Sequence, residues 1–155
     1  MNDVVSRNVL TAPDTHLFVS PHYDDIALSC GGTAALVSEA GKDAVVALLF
    51  GDHPDPTQPM TAFAEHMHAE WGMNADQVIA GRRAEEAAST RILGMRDVFL
   101  PFRDAIYRGD TYLNDDDLFG SPKGSDLDLP ERIELALEAE GFYPAGRGQS
   151  PLAIR

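Results

Sequence analysis

Three residues that can bind a metal ion or transfer a proton stand close together in the first part of the chain: His22, Asp24 and Asp25. Zinc accepts imidazole nitrogen and carboxylate oxygen as ligands, and a catalytic zinc site uses three protein ligands beside a water molecule. A turn between His22 and Asp25 can direct both side chains at one ion, with Asp24 beside them. This segment therefore predicts half of a metal site. The alternative is that the two aspartates cap the following helix and that His22 is an ordinary loop histidine.

Two predicted elements flank this segment. His16–Ser20 is a short apolar run typical of a buried strand, and the pattern from Ile26 to Ala40 predicts a helix that ends at Gly41. Asp43–Phe50 predicts a second buried strand. The pair Gly31-Gly32 lowers helix propensity by about 1 kcal/mol per glycine relative to alanine, so we expect it to permit close packing on a sheet.

Helices and strands continue to alternate along the rest of the chain. The further predicted segments are a loop at 51–60, a helix at 61–71, a break at 72–74, a helix ending at Leu93, a strand at 97–102, a long loop at 103–129, a helix at 130–140 and a fourth strand beginning near 149. This alternation predicts an α/β fold, namely a Rossmann-like three-layer sandwich with a mainly parallel sheet. We expect one domain over residues 1–155, with a sheet that can remain incomplete at the C-terminus. Ligands of such folds bind at the carboxyl ends of the strands, where His22 is expected.

The run FVSPHYDDIALSCGGTAALVSEAGKDAVVALLF, residues 18–50, resembles the opening of LmbE/PIG-L proteins. These proteins carry a Pro-His-x-Asp-Asp motif, then a Gly-Gly helix and a second strand. Two later blocks agree with the resemblance: Arg82 to Ala87 followed by Leu93-Gly94 is similar to the family's RxxE helix, and Leu100 to Arg108 is similar to its strand and Pro-Asp loop. The resemblance implies a zinc-dependent N-deacetylase that removes acetyl or related acyl groups from amino sugars and similar small molecules.

The resemblance also implies the roles of the metal-site residues. His22 and Asp25 would be zinc ligands, and Asp24 would be the general base that takes a proton from water. In the family a further histidine ligand follows a later strand, whereas no histidine follows His68 here. We therefore expect the chain to correspond to the N-terminal two-thirds of the family's domain, truncated before the third ligand, and to be a poor or inactive deacetylase. Water, His53 or a second copy of the chain would then have to supply the third ligand.

Three further residues are candidates for binding the substrate. Arg83 and Glu86 lie one helical turn apart and can pair on one face. By resemblance, Arg83 reaches the pocket and Glu86 orients it or supports the loop; the alternative is a surface ion pair. Asp104, at a predicted strand end, is expected to touch the sugar, and the alternative is an exposed loop acid.

The remaining histidines and the acidic run have simpler interpretations. His53 lies on the correct edge of the sheet, but the surrounding prolines favour a turn. His66 and His68 are two positions apart, so they cannot form a helical chelate of the i, i+4 type, and we expect packing or surface roles. The run from Asp115 to Asp117 lacks the spacing of an EF-hand and is interpreted as a solvated loop.

Composition excludes several classes of partner. Asp and Glu number 25 against 12 Lys and Arg, a formal net charge of −13, which disfavours nucleic acid and anionic lipid surfaces. No run approaches the roughly 20 apolar residues of a membrane span, and the first residues lack a signal-peptide core, so a cytoplasmic protein is expected. The expected partner is a small N-acylated, glycosidic substrate, with a homo-oligomer as a further possibility. The alternative function is a catalytically inert binding or remnant domain that retains the fold.

Overall fold

Three strands form a parallel sheet in the order β1-β2-β3: β1 is Thr15–Ser20, β2 is Asp43–Leu48 and β3 is Arg96–Phe99. The central strand β2 pairs with both neighbours, and all its residues after Asp43 are buried. That burial explains the nearly continuous apolar sequence of β2. The predicted α/β class with a parallel sheet is confirmed. The second and third strands end earlier than predicted, because Phe50 and Asp52 make only isolated bridges to the segment after β3.

The computed structural model describes residues 15–142, and three helices lie between the strands in sequence. They are α1 (Asp25–Glu39), α2 (Ala62–Trp71) and α3 (Ala75–Leu93). The predicted break between α2 and α3 is present, because Gly72 adopts a left-handed conformation and Asn74 forms a capping box with Gln77. Residues of α1, of β2 and of the position just before β3 form the main apolar cluster, which contains Ile26, Ala34, Val37, Ala44, Val46 and Met95.

The glycine pair of α1 does not serve close packing on the sheet. Cys30 has non-helical dihedral angles, φ −140° and ψ 21°, which place a kink directly before the pair. Gly31 is buried, and a Cβ there would lie 3.9 Å from the side chain of Leu93, which is ordinary contact with α3. A Cβ at Gly32 would meet no atom within 4 Å.

The predicted long loop after β3 contains short helical segments. These are a 3₁₀ turn at Ala105–Tyr107 and the helix α4 at Asp115–Leu118. Asn114 caps α4 by accepting from the backbone N–H of Asp117 at 3.0 Å. The acidic run therefore forms the first turn of a short helix, where negative charge complements the helix dipole.

The chain divides into two compact units, Met1–Pro122 and Lys123–Arg155. The second unit contains a 3₁₀ turn at Gly124–Asp126 and the helix α5 at Leu129–Ala139, which has Pro130 in its first turn as predicted. The predicted fourth strand near residue 149 lies outside the described residues. In the described part of the chain, no helix combines the length and apolar character that crossing a membrane requires.

Candidate active site

A cavity of about 410 Å³ opens at the carboxyl ends of the strands. Each strand is followed by a residue that lines it: His22 after β1, Asp52 after β2 and Asp104 after β3. Arg82 reaches the cavity from α3. The cavity therefore lies at the edge of the sheet where parallel α/β folds bind ligands, and where the sequence predicted His22.

His22 lies between two carboxylates. Its Nε2 atom is 3.3 Å from Oδ2 of Asp104, and its Nδ1 atom is 3.7 Å from Oδ2 of Asp25. The hydrogen bond that His22 donates to Asp104 raises the pKa of His22 above the ordinary 6.5, although burial opposes this. Burial favours the neutral form of Asp104, yet the hydrogen bonds from His22 and from the Ile106 N–H hold the pKa of Asp104 below its usual value. The two groups therefore stabilise each other as an ion pair.

The loop that presents His22 is fixed at both ends. The buried hydroxyl of Ser20, the last residue of β1, donates to the His22 carbonyl at 2.7 Å. The backbone N–H of His22 in turn donates to Oδ2 of Asp25 at 2.9 Å. The imidazole therefore projects from a short, hydrogen-bonded turn between β1 and α1.

Asp24 is the only non-glycine residue with positive φ among the described residues, at φ 62°. A left-handed conformation costs a residue with a Cβ roughly 1–2 kcal/mol, although aspartate tolerates it better than most. Its backbone N–H donates to Oε2 of Glu86 at 2.7 Å, and its carboxylate lies 2.9 Å from Nη2 of Arg82. Glu86 is only 2% exposed, and this burial is the main reason that its pKa is raised.

Arg83 and Glu86 do not pair with each other. The guanidinium of Arg83 instead donates to the Gly51 carbonyl at 3.2 Å and to the Tyr23 hydroxyl at 3.4 Å, and it lies over the ring of Phe99. Arg83 thereby links the loops that follow β1 and β2, and it is not among the residues that line the cavity. Its neighbour Arg82, which was not singled out from the sequence, lines the cavity instead.

The donor chemistry of His22 and Asp25 fits part of a zinc site. Zinc ligands about 2.0–2.1 Å from the ion in tetrahedral geometry are roughly 3.3 Å apart, close to the 3.7 Å between Nδ1 of His22 and Asp25. Over residues 15–142, no group of three or more His, Cys, Asp or Glu side chains is placed to hold a metal ion. His53 does not supply the missing donor here, since its Nδ1 atom lies 3.4 Å from Asp76 and it does not line the cavity.

His68 is buried and packs against aromatic rings, which agrees with the packing role expected from the sequence, whereas its contact with the cavity wall was not expected. It is buried at 8% exposure, and its ring bridges the Met73 carbonyl, 3.1 Å from Nδ1, and the Tyr107 hydroxyl, 3.0 Å from Nε2. Trp71 meets this imidazole edge to face, Tyr107 stacks on it, and both residues line the cavity. The sequence spacing could have indicated the contact with Trp71, because the chain's single tryptophan lies three positions after His68 and residues three apart are neighbours on a helix. His66, by contrast, is exposed and pairs with Glu70 on the surface.

Comparison with known proteins identifies relatives of this chain. A family model described as PIG-L, GlcNAc-PI de-N-acetylase, matches residues 17–129. The 2'-N-acetylparomamine deacetylase of Niallia circulans is 32% identical over 79% of this chain and 50% of that protein. The chain therefore spans about half the length of this relative.

Solved structures of deacetylases share the fold. A deacetylase–teicoplanin complex from teicoplanin biosynthesis superposes with a TM-score of 0.64 and 28% identity, over 81% of this chain and 54% of that chain. The zinc inhibited form of the teicoplanin deacetylase gives a TM-score of 0.63 and 25% identity, over 81% and 52%. The family match covers most of the sheet, the cavity and every candidate site residue, and on that ground the chain belongs to the PIG-L family, described as GlcNAc-PI de-N-acetylase.

Proposed function

We propose that this protein is a zinc-dependent N-deacetylase that hydrolyses the N-acyl group of an amino sugar or a similar small molecule. The observation that carries the proposal is the cluster of His22, Asp24 and Asp25 at the end of β1, with His22 on the wall of a cavity of about 410 Å³. Family membership and the deacetylase names of the relatives support the same reaction class.

His22 and Asp25 would hold the zinc ion. Bound zinc polarises an acyl carbonyl and lowers the pKa of water toward neutrality. Asp104 would orient the His22 ring. Its carboxylate accepts from Nε2, so the Nδ1 atom faces Asp25 and the proposed zinc site. A carboxylate on the far nitrogen of a metal-binding imidazole fixes the ring orientation and makes the ligand more basic.

Asp24 would be the general base. Its carboxylate can accept a proton from the attacking water and return that proton to the amine nitrogen as the carbon–nitrogen bond breaks. The products are the free amine and the carboxylic acid, so the proton is conserved. Arg82, 2.9 Å from the Asp24 carboxylate, restricts the positions from which this group can act.

Residues other than the pair Arg83 and Glu86 would bind the substrate. Arg82, Asp52 and Asp104 line the cavity and are placed to meet the polar groups of a sugar. Arg83 and Glu86 would hold the loops that carry the site, through Gly51 and the Asp24 backbone respectively.

One observation favours a second candidate, a catalytically inert binding domain. The described residues bring together two zinc donors and not three, and a catalytic zinc uses three protein ligands. Such a domain would bind an N-acylated sugar in the cavity without hydrolysing it.

The test measures zinc content and acetate release from N-acetylglucosamine derivatives by the full chain. Asp24→Asn should retain zinc and lose hydrolysis, because the amide keeps the shape but cannot accept the proton. His22→Ala and Asp25→Ala should lose the zinc itself. Hydrolysis by Asp24→Asn at the wild-type rate would contradict the role of base, and sugar binding without zinc or acetate release would favour the inert domain.

A further inference from the structure

Trp71 is the chain's single tryptophan, and it stands on the cavity wall. It is the last residue of α2 and is 41% exposed, so a large part of its indole faces solvent. Met73, Val78 and Ile79 extend the same apolar lining. An exposed aromatic ring inside a concave site is a surface on which a ligand can bury apolar area.

The position of Trp71 is set by His68, one turn earlier on α2. The two rings meet edge to face, with centroids 5.3 Å apart and an interplanar angle of 86°. Because the Met73 carbonyl can only accept, the Nδ1 atom of His68 carries the proton of this 3.1 Å hydrogen bond. In the neutral imidazole, Nε2 is then left as an acceptor.

That acceptor determines how Tyr107 presents its hydroxyl. Tyr107 lies 3.0 Å from Nε2 of His68 and donates its proton there. The Tyr107 oxygen can therefore only accept further hydrogen bonds from a ligand in the cavity. Burial, followed by the nearby charge of Asp104, raises the pKa of Tyr107 to about 12, so the hydroxyl keeps its proton at neutral pH.

We propose that Trp71 and Tyr107 form a subsite for the pyranose ring of an N-acylated sugar, with the C–H face of the ring on Trp71 and a ring hydroxyl donating to Tyr107. This inference rests on the proposed function, since it concerns the substrate of the same cavity. A pyranose combines an apolar face with a polar rim, which matches an apolar wall in a cavity also lined by Arg82, Asp52 and Asp104. A long acyl chain would desolvate those polar groups without offering them partners.

The single tryptophan permits a direct binding measurement. Methyl N-acetyl-β-glucosaminide is titrated onto the full chain in the presence of a zinc chelator, so that neither metal nor turnover contributes. We expect a saturable change in tryptophan emission, because the sugar replaces water on the indole of Trp71. Tyr107→Phe should weaken binding roughly 5–10-fold, the effect of one lost hydrogen bond. Tyr112→Phe is the matched control, since Tyr112 is buried and does not line the cavity, and its affinity should equal that of wild type.

Sugar analogues that each lack one hydroxyl keep the test decisive should Tyr107→Phe fold poorly. The analogue that lacks the hydroxyl bound by Tyr107 should bind wild type roughly 5–10-fold more weakly than the parent sugar does. The affinity of that analogue should not fall further in Tyr107→Phe, because the hydrogen bond is already absent. Equal affinities of Tyr107→Phe and Tyr112→Phe would overturn the role of Tyr107. Affinity that rises steadily from N-acetyl to N-octanoyl derivatives would assign Trp71 to the acyl chain and overturn the subsite.

The same titration separates this inference from the proposed function. Saturable sugar binding with no acetate release upholds the subsite even where the deacetylase proposal fails. Acetate release under zinc, without any response of Trp71 emission to substrate, overturns the subsite and leaves the deacetylase proposal intact.

Discussion

The left-handed backbone of Asp24 decides which neighbours its polar groups reach. Its N–H faces Glu86 on α3, and its carboxylate faces Arg82 one turn earlier on the same helix. In the proposed mechanism Glu86 would therefore be a positioning residue, because it holds the backbone of the proposed base.

Glu86→Gln should change the pH dependence of stability. Burial raises the pKa of Glu86 in the folded state above the ordinary 4.5, so the folded protein binds this proton more tightly than the unfolded chain does. The stabilising contribution of Glu86 is therefore fully present below pH 4.5, the ordinary pKa of glutamate. It is lost as the pH rises through the raised pKa of the folded state. The glutamine variant, whose amide oxygen can still accept from Asp24, should gain stability relative to wild type toward neutral pH.

Urea unfolding at a series of pH values measures this difference. Glu134→Gln, an exposed glutamate in α5, is the control and should show no such trend. A Glu86→Gln variant whose stability relative to wild type falls with rising pH would contradict the burial argument.

Asp104→Asn tests whether the second carboxylate supports the zinc ligand. Asparagine can still accept from the Ile106 N–H, but it removes the charge beside His22. We expect zinc affinity to fall by roughly 10–100-fold, the usual effect of removing such a partner. Competition with a chromophoric chelator measures the affinity. The control is Asp76→Asn, which removes the exposed carboxylate beside His53 in the same way and should leave the zinc affinity unchanged. An equal loss of zinc affinity in Asp76→Asn would indicate that His53 is a zinc ligand.

At the level of elements, the site depends on the loops that follow β1 and β2 lying against each other. The Gly51 carbonyl accepts from the Tyr23 hydroxyl at 2.7 Å and from Arg83 at 3.2 Å, so one peptide joins β1, β2 and α3. The position leaves no room for a side chain, because a Cβ on Gly51 would clash with the buried Cδ2 of Leu48 and would lie 2.7 Å from the Tyr23 oxygen.

Gly51→Ala should therefore destabilise the protein by about 1–3 kcal/mol, the usual cost of overpacking a filled site. Gly32→Ala is the control of opposite sign, since a Cβ there meets open space within α1 and alanine favours the helix by up to about 1 kcal/mol. Thermal and urea denaturation of both variants give the comparison. Equal stability of Gly51→Ala and wild type would show that the side chains of Leu48 and Tyr23 can move aside without cost.

For the whole molecule, the excess of acidic residues has a consequence for stability. At a formal net charge of −13, repulsion among the acidic side chains destabilises the compact folded state. Raising the ionic strength shortens the Debye length from about 30 Å at 0.01 M to about 8 Å at 0.15 M. The melting temperature of the zinc-free chain should rise with sodium chloride over this range, and a gain on the order of 1 kcal/mol corresponds to roughly 2–4 °C. A melting temperature that falls with salt would mean that attractive ion pairs outweigh the repulsion.

Local signals in the sequence were sufficient for the long helices, for the presence of the three strands and for the position of the proposed metal ligands, but not for the short helical segments after β3. The break between α2 and α3 follows from Gly72 and Asn74, because a left-handed glycine ends one helix and a capping side chain begins the next. His22 was placed at the sheet edge because the carboxyl ends of parallel strands share one edge. These signals depend on a few neighbouring residues, so they can be interpreted from the sequence without knowledge of the packing.

Only the tertiary structure decided which side chains meet in the cavity. Successive helical residues point about 100° apart, so the packing angle of α3 on the sheet determined that Arg82 lines the cavity while Arg83 binds Gly51. The hydrogen bond from Asp24 to Glu86 joins residues 62 positions apart, and that from Tyr107 to His68 joins residues 39 apart. No periodicity encodes such distances, because they depend on how α2 and α3 are placed against the strands after the chain has folded.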